Sequence, residues 1–138
     1  MNYYVFQIAD FSDYSKQRKS KDVFEYLVKE KSVWGLSHRA PFRKLMQAGD
    51  YVLFYLTGQD NQVFVGAATL KNSPYRDDSA ESKSWFLDPY TLRVDLVNIV
   101  IFSKPIFRKK LTNINWVPYQ GGSNKITEKD YLTILSYK

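Results

Sequence analysis

The run YVLFYL at residues 51–56 constrains this chain more than any other stretch. Consecutive apolar and aromatic side chains leave no polar face to turn to water, so a strand here must be covered on both sides. A sheet with one bare face is excluded at that position. The run lies inside a longer segment, residues 32–70, with the sequence SVWGLSHRAPFRKLMQAGDYVLFYLTGQDNQVFVGAATL. Trp34 stands beside Gly35, a short basic stretch follows, Gly49-Asp50 punctuates it, and two apolar strand patterns come next.

The flanking segments supply partners for that strand. Residues 2–8 mix aromatic and β-branched side chains and read as a first strand. Residues 12–21 are polar and charged, a loop or the approach to a helix. Over residues 21–31, Val23, Phe24, Leu27 and Val28 fall on one helical face. Asp22 near its start and Lys29 and Lys31 near its end complement the helix dipole. Residues 41–48 carry a second helix pattern. Pro41 suits a first turn and Gly49 the position just past the last one. Phe42, Leu45 and Met46 would then point inward, and Arg43, Lys44 and Gln47 outward.

Gly58, Asp60 and Asn61 mark a hairpin loop over residues 57–61. Residues 62–70 return as a strand, and the small side chains of Gly66, Ala67 and Ala68 let another backbone or a ligand approach. Residues 72–84 read as a long loop, a feature that is often functional in a compact domain. Over residues 91–102, Leu92, Val94 and Leu96 alternate with Arg93 and Asp95. The phase then flips to Val97, Ile99 and Ile101, which predicts a β-bulge near residues 96–97. Thr127 with Asp130 approximates a capping box for a closing helix over residues 127–137, with Tyr131, Ile134 and Leu135 as its buried stripe.

Length and composition bound the functional classes. A chain of 138 residues with no repeat, linker or low-complexity tract reads as one domain spanning residues 1–138. Its 11 Tyr, nine Phe and three Trp exceed what a core of this size requires, and rings stack on flat partners. A net charge of +6 favours anionic partners, chiefly nucleic acid or an acidic membrane surface. The absence of cysteine excludes disulfides, thiolate nucleophiles and Cys-based zinc sites, and fits a reducing cytoplasm. His38 is the single histidine, so no Cys–His dyad and no histidine cluster for a metal can be assembled. Ser37 is its neighbour in sequence, which is not triad geometry. Gly121-Gly122 lacks the Lys-Ser/Thr of a phosphate-binding loop. No apolar run approaches the ~18 residues of a membrane span, and the first residues lack the basic and apolar regions of a signal peptide. The expectation is a soluble cytoplasmic protein that is not an enzyme, holds no metal and needs no cofactor. The basic runs at residues 16–21 and at Arg108-Lys109-Lys110 read as solvated surface.

The order of several short elements resembles the EVE family, a branch of the PUA-like superfamily that includes YTH domains. The elements are Val33-Trp34-Gly35-Leu36, then Phe42-Arg43-Lys44-Leu45-Met46 leading to Gly49-Asp50, then the strand at residues 51–55 and Val65-Gly66. Pro74-Tyr75 and Ile126-Thr127-Glu128-Lys129-Asp130-Tyr131 follow in the same order. The resemblance implies an α/β (α+β) fold, a PUA-like small mixed β-barrel flanked by short helices. It implies binding of nucleic acid, DNA or RNA, with a modified base such as a methylated cytosine or adenine read in an aromatic pocket. Trp34 resembles the tryptophan at the mouth of the family pocket, and Trp85 the second cage position of YTH domains. Ser37-His38 stand where some EVE proteins carry Arg-Asn.

Energetics narrow that expectation. Extruding a base from a duplex costs a few kcal/mol, and stacking on one ring returns ~1–3 kcal/mol. Two rings about offset extrusion. A buried methyl adds only about 0.8 kcal/mol, so net affinity must come from phosphate contacts. The expected base pocket comprises Ser32, Trp34, Gly35, Leu36, Tyr55, Trp85 and Phe86. The expected phosphate contacts are Arg39, Arg43 and Lys44. The alternative is a small-molecule or protein-interaction module on the same barrel, since fold does not imply function.

Overall fold

The computed structural model of the chain describes residues 1–9, 11–12, 17–57, 62–77, 79–80, 92–118 and 122–138. The expected hairpin loop at residues 58–61, and both Trp85 and Phe86, lie outside the described residues. In chain order the elements are β1 (Tyr3–Ile8), β2 (Phe11–Ser12), β3 (Gln17–Arg18), α1 (Ser20–Phe24) continued by a π-helical turn (Glu25–Glu30), β4 (Val33–Leu36), β5 (Tyr51–Leu56), β6 (Val63–Leu70), β7 (Tyr75–Arg76), β8 (Leu92–Phe107), a 3-10 turn (Arg108–Lys110), β9 (Ser123–Lys125) and α2 (Glu128–Leu135).

One mixed sheet runs in the order β4-β8-β6-β5-β1-β9, with β7 pairing the start of β8. It curls into a half-barrel with a helix on either side, the PUA-like fold. β1 and β5 are parallel, Tyr3 opposite Tyr51 and Ile8 opposite Leu56. The other pairings of the sheet are antiparallel.

The period-two geometry of strands divides the core. Tyr4 and Phe6 of β1 and Val52, Phe54 and Leu56 of β5 join Phe24, Leu27, Val28, Trp34 and Met46 in one cluster. Val5, Leu53 and Tyr55 join Phe64, Trp116, Tyr131 and Ile134 in the second. The fully apolar run of β5 is thus covered on both sides, as its composition demands. Thr127 caps α2 by accepting from the Asp130 amide at 3.1 Å, in the expected place. The Asp130 carboxylate, only 2 % exposed, in turn accepts from the amides of Asn115 and Trp116 at 3.0 and 2.9 Å.

The phase flip of β8 is a bulge. Between the pairs Ala67–Val100 and Thr69–Val97 the register shifts, and Asn98 takes a φ of 51°. Asparagine tolerates that left-handed conformation better than most residues. The strand runs beyond the expected residue 102 to Phe107, through a second irregularity that contains Pro105. Proline cannot donate to a ladder and settles where one is broken.

Gly66 shows what the small residues of β6 are for. A Cβ built on it would sit 2.8 Å from the Val100 carbonyl oxygen and 3.1 Å from Cζ of Phe24. The space is occupied by the neighbouring strand and by the helix side chain, not by a ligand.

The second expected helix does not form. Residues 41–45 are a run of turns in which the Leu45 amide donates to the Phe42 carbonyl at 2.9 Å. Phe42 has a φ of 64°, which breaks a right-handed helix at its first turn. Of its expected inner face only Met46 is buried, whereas Phe42 and Leu45 are exposed.

Candidate functional site

β4 is an edge strand that carries Trp34, Gly35 and Leu36 against the first half of β8. Trp34 pairs with Val94 and Leu36 with Leu92. The indole points into the first core cluster, where it stacks on Phe6 (centroids 5.7 Å apart, 16° between planes) and tilts against Phe54 at 5.2 Å. Trp34 is 5 % exposed. Ser32, half-buried with a φ of 55°, precedes the strand and accepts from the Leu96 amide through its carbonyl at 2.9 Å. Ser32, Trp34, Gly35 and Leu36 are therefore together along one edge, with the indole as a packed floor.

Tyr55 is not with them. It is fully buried among Phe64 and Trp116 in the other cluster, and its hydroxyl donates to Oε1 of Gln62. Tyr55 follows Phe54, which touches Trp34, and successive strand residues point to opposite faces. Burial raises the Tyr55 phenol pKa, with the nearby Arg108 opposing.

Gly35 faces Arg93 across the β4–β8 ladder, and Tyr75 of β7 faces Arg93 from the other side. Arg93 is the largest fully buried side chain of the described residues. Its alternation with Leu92 and Val94 predicts an outward position, but the side chain is fully buried. One guanidinium nitrogen, Nη1, donates to the Leu92 carbonyl at 2.8 Å. Beside it, the Asp95 carboxylate accepts from the Tyr75 hydroxyl at 2.8 Å and from Asn72 Nδ2 at 2.9 Å, while the Asp95 amide donates to Asn72 Oδ1 at 3.1 Å. Burial, then the bond to Asp95, pushes the Tyr75 pKa up to about 12. This polar strip of Asn72, Tyr75, Arg93 and Asp95 is absent from the expected site. Its legible signal is Arg93 and Asp95 alternating with the apolar residues in the first half of β8.

The loop after β4 is tied down at several points. The Ala40 amide donates to the Ser37 carbonyl at 2.9 Å, and Arg43 Nη1 donates to the Ala40 carbonyl at 3.2 Å. Ser123 Oγ donates to the Pro41 carbonyl at 2.9 Å, fixing the loop to β9. Asp50, 1 % exposed, closes it by accepting from the Gln47 and Asn2 amides at 3.0 and 3.1 Å. His38, Arg39 and Lys44 are exposed and Arg43 is half-buried. Lys125 of β9 reaches the same loop, its ammonium 5.9 Å from the Phe42 ring centroid.

Charge is strongly sorted along the sequence. Residues 31–49 and 96–127 contain no Asp or Glu, yet hold Lys31, Arg39, Arg43, Lys44, Lys104, Arg108, Lys109, Lys110 and Lys125. The rest of the chain is net acidic, so the +6 charge originates in these two stretches. Phe42 of the first stretch lies under the Lys125 ammonium of the second. Among the described residues, no group of His, Asp and Glu is arranged to hold a metal ion.

The sequence model of the EVE domain matches residues 14–137. The chain belongs to the EVE domain family. No curated protein matches this EVE chain by sequence. Solved structures match its fold at low identity. Human THYN1, in complex with 5-methylcytosine containing DNA, is 12% identical with a TM-score of 0.70, over 99% of this chain and 97% of that one. The ASCH protein from Zymomonas mobilis is 16% identical with a TM-score of 0.65, over 98% and 94%. The N-terminal domain of McrB from Staphylothermus marinus is 12% identical with a TM-score of 0.65, over 99% and 94%.

Proposed function

We propose that this EVE domain binds nucleic acid and reads a modified base, such as a methylated cytosine or adenine, at the β4 edge without catalysing a reaction on it. The observation that carries the reading is the acid-free basic loop that follows the Trp34-Gly35-Leu36 strand. It carries Arg39, Arg43 and Lys44 directly after β4 in sequence and is tied to β9 through the Ser123–Pro41 bond. Phosphate contacts supply most non-specific affinity, and this loop offers three cations for them. Human THYN1, similar in fold, is known in complex with 5-methylcytosine containing DNA.

In this reading Ser32, Gly35 and Leu36 offer backbone and hydroxyl groups to the base edge, and Trp34 is the floor beneath. On the strength of the sequence, Trp85 is the second stacking wall and Phe86 a secondary lining residue; both lie outside the described residues. Burial in the core cluster opposite Trp34, against Phe64 and Trp116, argues against Tyr55 as a lining residue.

Fluorescence anisotropy with DNA and RNA oligonucleotides, plain and modified, tests the proposal. Binding should weaken steeply with salt, by a slope of about −0.9 per phosphate contacted on duplex DNA. One modification should bind severalfold more tightly than its unmodified counterpart. A salt-insensitive ligand of another class, with no oligonucleotide bound, would replace this reading with that of a small-molecule or protein-interaction module.

A further inference from the structure

Phe42 is an anomaly that folding does not explain. Its ring is 40 % exposed, and its backbone sits at a φ of 64°. A left-handed conformation costs a residue with a Cβ roughly 1–2 kcal/mol, and it is a true outlier for a bulky side chain. The neighbouring Leu45 is 52 % exposed. Both belong to the acid-free stretch, next to Arg39, Arg43 and Lys44, and the Lys125 ammonium lies over the Phe42 ring. Strained residues held in place by their surroundings mark sites of function when the strain is observed first. Here the surroundings are specific: the Ser123–Pro41 bond on one side, and on the other the buried Met46 with the Asp50 carboxylate. They hold an exposed apolar ring beside the Lys125 ammonium, in a stretch of chain that also carries Arg39, Arg43 and Lys44.

We infer that Phe42 is a stacking wedge, a ring presented to a nucleobase of the bound strand while Arg39, Lys44 and Lys125 face its phosphates. The inference rests on the nucleic-acid reading above but concerns a residue outside the base pocket. Nucleic acid is the occupant that fits both halves of the patch. Aromatic rings stack on any base, and apolar wedges among cations partly unstack duplex steps. An apolar protein partner would gain little from a ring that lies under the Lys125 ammonium in a stretch of chain rich in lysine and arginine.

Three variants at this position separate the roles. Phe42→Gly removes the ring and also the backbone strain, because glycine adopts positive φ without a steric penalty. It should keep or raise the melting temperature and yet weaken oligonucleotide binding roughly tenfold, the scale of one lost stack. Phe42→Leu should lose affinity to the same degree, and Phe42→Tyr should retain it. The salt dependence should stay as in the wild type, since no charge is removed, whereas Lys44→Ala should flatten the slope by about 0.9 on duplex DNA. Wild-type affinity in Phe42→Gly, with steep salt dependence intact, overturns the wedge and leaves the nucleic-acid reading standing. A wild-type protein that binds no oligonucleotide overturns that reading itself.

Discussion

The indole of Trp34 lies on the ring of Phe6, 5.7 Å between centroids and nearly parallel. Edge strand β4 and strand β1 are pinned together by this stack, four places apart in the sheet order with β8, β6 and β5 between them. Aromatic pairs of this kind contribute about 0.5–1.5 kcal/mol beyond the area they bury. The tryptophan most characteristic of the sequence is therefore first a fastening between β4 and the core.

Replacing it should be costly to the fold. Trp34→Ala is expected to destabilise the domain by ~3–5 kcal/mol, the range for a large buried aromatic. Urea denaturation followed by circular dichroism measures it. A loss below ~1 kcal/mol with a marked fall in oligonucleotide affinity would make the indole a pocket wall instead.

Gly66→Ala tests the close approach of β8 and Phe24 to β6. The added methyl would meet the Val100 carbonyl oxygen at 2.8 Å, and a backbone atom cannot swing aside. Overpacking of this kind costs ~1–3 kcal/mol. The expected result is a lowered melting temperature with an unchanged far-ultraviolet spectrum. An unaltered melting temperature would mean that β6 and β8 part more easily than their register implies.

Asp130 joins α2 to the segment ahead of β9. Asp130→Ala would strand the Asn115 and Trp116 amides, at ~1–3 kcal/mol for each buried donor left unpaired. Asp130→Asn keeps an oxygen acceptor and should recover most of the loss. Equal destabilisation in both variants would show that the negative charge, and not the acceptor, is what matters.

Three tyrosines should govern behaviour at high pH. Burial, followed by the Asp50 charge for Tyr4, the Asp95 bond for Tyr75 and the neighbouring Tyr51 for Tyr131, pushes each phenol up to about 12. The unfolded value is about 10. The native state therefore holds these protons more tightly, so their contribution is whole below pH of about 10 and is lost as pH rises towards about 12. Stability from urea titrations should fall across that window, in step with late phenolate absorbance. Stability that is flat through it, with all phenols titrating near 10, would contradict the buried positions.

The legible parts of this protein are those governed by local pattern. The unbroken apolar run of β5 announced a strand covered on both faces, and the one-residue phase change in β8 announced its bulge. Thr127 marked the start of α2. What escaped depended on long-range pairing. Arg93 looked outward by alternation, but its side chain is fully buried where β4 and β7 both pair with the start of β8. Tyr55 looked like a companion to Trp34, yet strand parity sends it to the opposite core. In residues 41–48 the helical spacing of apolar residues was real, but the Ser123–Pro41 bond and the left-handed Phe42 impose a turn run that spacing cannot encode.

β1 lies between β5 and β9, with Tyr4 opposite both Val52 and Lys125. Its partner on one side is thus about a third of the chain away and on the other nearly the whole chain. On a ribosome the first strand made is among the last to be fully paired. Closing such distant contacts is slow, and an edge left open meanwhile is a template for other chains. The domain should therefore depend on chaperones more than its small size suggests, and shortening it ahead of Ser123 should cost solubility before it costs secondary structure.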